Sequence, residues 1–247
     1  MPDKDEKTKE ILKAEYQQLK GIYGYRRMRI VLEKKHGIRH NGKKVYRILK
    51  EMGLQAQVRR RRANYPYIGM GTEVHPNILA RQFQADRPDR KWVTDITVIV
   101  QNGQRYYLSV IMDLFNREIV GYKMDRHMDL RLVIESVNEA IGNRDVRGLM
   151  IHSDQGGHYT SRAYGLYLKG KGIIQSMSGK GNCLDNAVME NFFGHLKSEL
   201  IYNTKFKTGD WLKKDISEYI RFYNNERIQE KLNKMAPVEY RSHLLSV

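Results

Sequence analysis

Three acidic residues stand in sequence contexts where a carboxylate is unexpected. Asp154 ends an apolar run and is followed by Gly156 and Gly157, so little side-chain bulk surrounds it. Asp95 lies within a β-branched run, where aspartate has poor strand propensity. Glu190 lies about one turn into a predicted helix. Because carboxylates gathered in one place repel each other, a site that collects these three would require divalent cations.

Such a site has a defined chemistry. Two Mg²⁺ ions about 3.5–4 Å apart can activate a water or hydroxyl and stabilise the leaving oxygen of a phosphodiester. Taken singly, each acid also has an ordinary explanation: Asp95 as a turn or edge residue, Asp154 as part of a plain loop, and Glu190 as a surface partner of Lys197. Short motifs of this kind are weak alone, so the prediction depends on the three together.

Net charge indicates the partner. The chain has 44 lysines and arginines against 28 acidic residues, a formal charge of +16, which favours a polyanion or an anionic membrane as partner. No apolar run approaches the ~20 residues of a membrane helix, and the N-terminus lacks the apolar region of a signal peptide. A single cysteine, Cys183, excludes an internal disulfide. We therefore expect a soluble cytosolic protein that binds nucleic acid and no membrane.

The positive charge is concentrated in residues 1–62, which hold 19 basic and 7 acidic residues. Two short helices are predicted there, over 23–32 and 43–52, around a glycine-containing turn, and this pattern favours a helix-turn-helix. The alternative is an ordinary helical hairpin with a solvated basic face. On the first interpretation, the basic residues of the second helix contact DNA: Lys43, Lys44 and Arg47.

A run of four arginines follows, which would either grip phosphates or form a solvated linker: Arg59, Arg60, Arg61 and Arg62. Residues 63–90 contain three prolines and two glycines, a composition typical of an extended linker with little core of its own. We therefore predict a small all-α domain over 1–62, a linker over 63–90, a second domain over 91–225 and a tail over 226–247.

The second domain begins with three predicted antiparallel strands, with a hairpin turn at Asn102-Gly103. Helices and strands then alternate, which predicts an α/β fold with a mixed sheet and flanking helices. Asp185 is a candidate N-cap for the helix that carries Glu190. After these three strands, helices are predicted over 129–142, 160–170, 187–200 and 208–225, and strands over 148–153 and 173–177.

Several segments together resemble one known family. Thirty-five residues separate Asp154 from Glu190, and the basic residue Lys197 follows the glutamate by seven positions. The chain also contains WVTDIT at 92–97, HSDQGGHY at 152–159 and FYNNER at 222–227. These features resemble the D-D-E catalytic core of bacterial insertion-sequence transposases of the OrfB type, whose cores are similar to retroviral integrases.

The resemblance implies a ribonuclease H-like integrase core that follows a helix-turn-helix domain. It implies that Asp95, Asp154 and Glu190 bind two Mg²⁺ ions, with Mn²⁺ able to substitute, and that the enzyme cleaves element ends and joins the freed 3′-hydroxyl to another phosphodiester. Lys197 would contact the end DNA, with Gly194 leaving room for the backbone.

The resemblance also implies partners and a location. One partner would be double-stranded DNA, both as the terminal repeats of the element and as the target. The others would be a second copy of the chain on that DNA and the product of the element's first reading frame, either as a separate protein or as a fused segment. The expected location is the bacterial cytoplasm, at the nucleoid. Two other functions stay open: a nuclease of the same fold that hydrolyses without joining, and a catalytically inactive DNA-binding regulator. The basic N-terminal region argues against the first, and the three acids argue against the second.

Overall fold

The computed structural model describes residues 5–56, 73–142, 144–179, 183–204 and 208–246. The chain divides into two compact units, Met1–Arg61 and Arg62–Val247, and each is described by itself. The four predicted DNA-contacting arginines lie outside the described residues: Arg59, Arg60, Arg61 and Arg62.

The described part of the first unit contains three helices: α1 (Glu6–Gln18), α2 (Tyr25–His36) and α3 (Gly42–Glu51). Helix α2 ends at Gly37, whose φ of 67° is readily adopted only by glycine. Helix α3 begins after Asn41, whose side chain accepts a hydrogen bond from the backbone N–H of Lys44. The predicted helix-turn-helix pattern is confirmed in α2 and α3.

Helix α1 buries an acidic residue. Ile11 is only partly buried, whereas Leu12 and Glu15 face the core. Glu15 can be buried because two basic groups of α2 lie beside it, with Lys35 Nζ and His36 Nε2 each 2.9 Å from its carboxylate. Those hydrogen bonds lower the pKa of Glu15 against the opposing effect of burial. Apolar spacing cannot reveal a buried acid whose partners lie on another helix.

A mixed sheet forms the centre of the second unit, as predicted. In the described residues its strands are β1 (Lys91–Gln101), β2 (Gln104–Asp113), β3 (Ile119–Asp125), β4 (Met150–Ser153) and β5 (Ile174–Met177), in the order β3-β2-β1-β4-β5. The first three are antiparallel, and β4 and β5 continue the sheet in parallel with β1. Asn102 and Gly103 both have positive φ, as a tight hairpin turn requires.

Helices cover both faces of this sheet. Helices α4 (Leu130–Ile141) and α5 (Arg162–Gly170) pack on the face that contains Trp92 and Ile151. Helices α6 (Ala187–Glu199) and α7 (Gly209–Asn225) pack on the opposite face, which contains Val93 and Val110. Successive strand residues point to opposite faces, so neighbouring residues of β1 contribute to different cores.

Both flanks of residues 91–225 pack on this core. Residues 73–90 contain no helix or strand, yet Leu79 is 1 % exposed within the core, and the N–H groups of Ile78 and Leu79 donate to Ser176 Oγ. Beyond residue 225, helix α8 (Pro237–Leu245) carries Arg241, which pairs with Asp89 at 3.2 Å. The segments before and after the predicted core are therefore joined to it and to each other.

Asp185 is not the N-cap of α6, contrary to the prediction. It lies in a short 3₁₀ helix, Cys183–Asn186, and the N-cap is Asn186, with no side-chain capping bond. The Asp185 carboxylate instead accepts hydrogen bonds from Arg81 Nε at 2.8 Å, Asn77 Nδ2 at 3.0 Å and the Gly179 N–H at 3.1 Å. Two of these donors lie about a hundred residues earlier in the chain, so local capping rules could not identify them.

Candidate active site

Strand pairing directs Asp95 and Asp154 to the same region of the sheet. Strands β1 and β4 are parallel, and Val93 lies beside His152. Extended by two residues, past the end of β4 at Ser153, the same register would bring Asp95 next to Asp154. Neighbouring strands are about 4.8 Å apart, so this extension would make neighbours of two carboxylates that are distant in the sequence.

The helix that carries Glu190 covers the same sheet face. Asp95 lies an even number of residues from Val93 and Ile99 on β1, so its side chain points to the same sheet face as theirs. Val93 and Ile99 belong to the core beneath α6 and α7. Helix α6 contacts β1, and Glu190 is a partly buried residue in its first turn. Within the described ranges, however, no three His, Cys, Asp or Glu side chains lie close enough together to hold a metal ion. The register of β1 and β4 directs both aspartates to the same region of the sheet, and the three-acid metal site stays a prediction.

The surroundings of Asp154 suit a cation. Burial raises the pKa of Asp154, against the opposing effects of the Gly156 N–H, 2.8 Å from Oδ1, and of His158. A carboxylate whose charge is disfavoured by burial is stabilised by a nearby cation, and carboxylate oxygens are ligands that Mg²⁺ accepts. A Cβ on Gly156 would lie 2.9 Å from Asp154 Oδ1. This glycine therefore leaves the space beside the carboxylate that the sequence predicted.

Tyr159 is a residue of the site that the sequence reasoning missed. Its side chain is 1 % exposed, and its hydroxyl lies 3.3 Å from Thr94 Oγ1. Burial raises the pKa of Tyr159 well above its usual range, and the charges of Asp95 and Asp154 raise it further. The phenol therefore stays protonated near both aspartates. Its position five residues after Asp154, in a segment already singled out, was the available signal.

His152 is a structural residue rather than a ligand. It is fully buried in β4, and its Nδ1 lies 2.9 Å from Ser176 Oγ of β5. Burial lowers the pKa of His152 to about 4, so the ring is neutral near pH 7. The histidine links β4 to β5 directly before Asp154 and so fixes the strand end from which that carboxylate extends.

A second missed group is a buried ion pair at the end of α6. Glu199 accepts a hydrogen bond from Arg227 Nε at 2.9 Å and another from the Tyr219 hydroxyl at 2.8 Å. The side chains of Glu199 and Arg227 are 7 % and 2 % exposed. Arg227 belongs to the FYNNER segment, so its motif was visible although its partner was not. Lys197, the predicted DNA contact, lies in the last turn of the same helix and is partly exposed.

The predicted DNA-contacting residues of α3 differ in their surroundings. Lys43 is exposed, whereas Lys44 Nζ lies 2.8 Å and Arg47 Nη2 lies 2.6 Å from the carboxylate of Asp5. Arg47 also pairs with Glu51 one turn later. The positive charge of Lys44 and Arg47 is therefore partly offset within the first unit, and Lys43 presents its charge to solvent. Across the described ranges, no helix has the length and apolar character needed to cross a membrane.

Comparison with known proteins agrees with this arrangement. Residues 85–183 and 190–245 match models of an integrase core domain, and residues 2–62 match an HTH-like domain. The chain is 41 % identical over 242 residues to the putative transposase InsK for insertion sequence element IS150 of Escherichia coli, covering 98 % of this chain and 85 % of that protein. It is 36 % identical over 249 residues to the transposase for insertion sequence element IS904 of Lactococcus lactis, covering 98 % of each.

Solved structures are similar in fold. The HTLV-2 integrase catalytic core domain, solved in complex with magnesium, has a TM-score of 0.51 at 16 % identity, covering 63 % of this chain and 98 % of that chain. A chain of the simian T-cell lymphotropic virus intasome has a TM-score of 0.55 at 18 % identity, covering 88 % of this chain and 70 % of that chain. The predicted integrase-like core is thereby confirmed, and the chain belongs to the insertion-sequence transposases with an integrase core, a family of polynucleotidyl transferases.

Proposed function

We propose that this enzyme cleaves the ends of a mobile DNA element and joins them to new DNA, with Asp95, Asp154 and Glu190 as its metal ligands. The observation that supports the proposal most directly is the parallel register of β1 and β4, which ends with Val93 beside His152, so that Asp95 and Asp154 each lie two residues beyond that pair. Glu190 is the third proposed ligand because α6 packs on the sheet face that carries Asp95.

The proposed cofactor is a pair of Mg²⁺ ions, for which Mn²⁺ would substitute. When bound, they would activate the attacking water or 3′-hydroxyl and stabilise the leaving oxygen. The chain's own residues prepare the site for them. Gly156 keeps the space beside Asp154 clear and donates to its carboxylate, while Tyr159 stays protonated behind the two aspartates. The hydrogen bond from Gly156 orients the Asp154 carboxylate before a metal ion arrives.

The proposed substrate is double-stranded DNA, both as element ends and as target. Lys43 on α3 and Lys197 on α6 are proposed phosphate contacts, because each is a basic residue with an accessible side chain. Two element ends must be held together for joining, so we propose a homo-oligomer on DNA, assisted by a first-frame partner or fusion segment. The bacterial relatives support action in the cytoplasm at the nucleoid.

Asparagine and glutamine substitutions test the metal ligands. We expect Asp154→Asn and Glu190→Gln each to abolish Mg²⁺-dependent cleavage of the DNA that flanks this reading frame, because a neutral amide is a poor ligand for a hard cation. Binding to that DNA should be nearly unchanged. Glu218→Gln is a matched control, since Glu218 is an exposed residue of α7 with its side chain 58 % accessible.

Two readouts separate the possible failures. Binding of Mn²⁺, followed by electron paramagnetic resonance, should weaken in both variants but not in the Glu218→Gln control. DNA supplied with a free 3′-hydroxyl end tests whether the enzyme joins that end to other DNA. If the wild-type enzyme hydrolyses DNA but does not join this end, the protein is a nuclease and not a transposase. Full cleavage by either variant would overturn the assignment of the metal ligands.

A further inference from the structure

A cleft of about 900 Å³ in the second unit has a strongly basic lining. It lies between residues 81–84, the start of β1 and the first turns of α6. No acidic residue is among the described residues that line it, and four basic residues do so: Arg81, Lys91, Arg117 and Lys231. We call this feature the basic cleft.

The remaining lining of the basic cleft suits a nucleic acid. Asn191 and Gln82 provide amide groups that can bind phosphate or base edges, and Phe83 provides an aromatic ring. Arg81 is held in place by Asp185 at 2.8 Å, and Lys91 Nζ lies 3.4 Å from the Gln82 carbonyl oxygen. Asp185 offsets the charge of Arg81, so the positive charge of the cleft comes mainly from Lys91, Arg117 and Lys231. These three cations repel one another, and a phosphate backbone supplies several anionic groups at regular spacing that can bind among them.

The basic cleft lies on the same sheet face as Asp95. Lys91 and Asp95 are four residues apart on β1, so their side chains point to one face and are separated by about 13 Å along the strand. That distance corresponds to about four nucleotide steps at about 3.4 Å each. On α6, Asn191 in the cleft directly follows Glu190. Val93, between Lys91 and Asp95, is buried beneath α6, so a DNA strand whose phosphodiester reacts at Asp95 would reach the cleft around the first turn of that helix.

We propose that the basic cleft binds the phosphate backbone of the DNA strand that reacts at the carboxylates, a few nucleotides from the scissile bond. This inference rests on the proposed function, since it assigns a second binding site to the same DNA. Its residues would position the strand without touching the reacting atoms. The cleft therefore affects how tightly and in which register the DNA lies across the active site.

Two substitutions test this proposal in the full-length chain. Arg117 has φ of 62°, a backbone conformation that asparagine tolerates better than most residues, so Arg117→Asn removes the charge with little strain. Lys231→Gln removes the charge of an exposed side chain. Removal of one phosphate-binding cation should make the slope of log K against log salt shallower by about 0.9, so the double variant should differ from wild type by about 1.8. The KM for DNA cleavage should rise about tenfold, with kcat nearly unchanged.

Lys169→Gln with Lys171→Gln is the matched control, because these exposed lysines lie at the end of α5, on the other sheet face, and outside the basic cleft. The control should keep the wild-type salt slope. As an independent measurement in a Cys183→Ser background, the thiolate of Lys231→Cys should attack a mixed disulfide carried by DNA a few nucleotides from the cleavage point and release the small thiol of that disulfide, and Lys169→Cys should not.

The outcomes are distinguishable from a failure of the proposed function. The basic cleft is overturned as a DNA site if the double variant has the salt slope and the KM of the wild type, or if the two cysteine variants cross-link equally. In that case the wild-type enzyme would still cleave DNA, so the proposed function would stand. Absence of Mg²⁺-dependent cleavage by the wild-type enzyme would instead overturn the proposed function, whatever the salt slopes are.

Discussion

Replacement of Arg227 by methionine is expected to destabilise the second unit strongly. The substitution keeps an unbranched side chain in the core but removes the guanidinium group that pairs with the 7 % exposed Glu199. Burial alone would raise the pKa of Glu199, yet hydrogen bonds from His195 and Arg227 lower it to about 2 from 4.5. At about 1.36 kcal/mol per pKa unit, those partners stabilise the folded carboxylate by about 3 kcal/mol. Removal of one partner from a buried pair typically costs a similar amount, about 3–5 kcal/mol.

Tryptophan fluorescence measures this unit selectively. The chain has two tryptophans, Trp92 and Trp211, and both lie in the second unit. Urea unfolding of Arg227→Met should show a free energy of unfolding about 3–4 kcal/mol below wild type, and the midpoint of thermal unfolding should fall by about 10 °C. Arg221→Met is the matched control, since the 71 % exposed Arg221 pairs with Glu226 at 3.8 Å in solvent and should contribute below about 0.5 kcal/mol.

The pH dependence gives a second test of the same reasoning. In the wild type the folded pKa of Glu199 lies below its unfolded value, so its stabilisation is present at neutral pH and is lost as pH falls from about 4.5 towards 2. In Arg227→Met, burial should raise that pKa, so protonation then relieves the unpaired charge. The deficit of the variant should therefore shrink as pH falls from about 7 to about 3.5. The reasoning is refuted if Arg227→Met is as stable as Arg221→Met at neutral pH. It is also refuted if the loss in free energy of unfolding caused by Arg227→Met does not depend on pH.

Two further predictions concern other charged groups. Burial raises the pKa of Asp113 to about 6, above its ordinary 3.8, so protonation as pH falls through 6 should increase the free energy of unfolding. In urea titrations between about pH 8 and pH 5, Asp113→Asn should flatten this trend. Equal pH profiles of wild type and variant would contradict the prediction. In the first unit, Lys43→Gln should make the slope of log K for DNA binding against log salt shallower by about 1. Lys44→Gln should change that slope by less, because Asp5 already pairs with Lys44 at 2.8 Å. A larger change in Lys44→Gln than in Lys43→Gln would show that Lys44 is the main contact.

The local pattern of the sequence was sufficient for most helices and strands. The β-branched run of β1, the Asn102-Gly103 turn and the helix predicted over 208–225 each depend on residues close together in the chain, and all three are confirmed. Backbone alternation and helical periodicity are properties of short segments, so sequence spacing reports them directly.

Several side-chain roles could not be predicted in this way. Asp185 was interpreted as an N-cap because local capping rules favour aspartate, but Arg81, about a hundred residues earlier, binds it instead. Glu199 and Arg227 form their buried pair across α6 and the segment after α7. Each of these depends on which elements the fold brings together, and a single sequence holds no direct record of such distant contacts.

The candidate active site illustrates both contributions. The sequence alone determined the types and spacing of Asp95, Asp154 and Glu190, and the motifs around them determined the family. The tertiary structure decided that the strand carrying Asp95 and the strand that ends directly before Asp154 are parallel neighbours, with Val93 beside His152. It also placed the buried Tyr159 where the charges of Asp95 and Asp154 both act on it, and assembled the basic cleft from five separate parts of the chain. Carboxylate chemistry follows from residue type, whereas distance between residues remote in the chain follows only from the folded sheet.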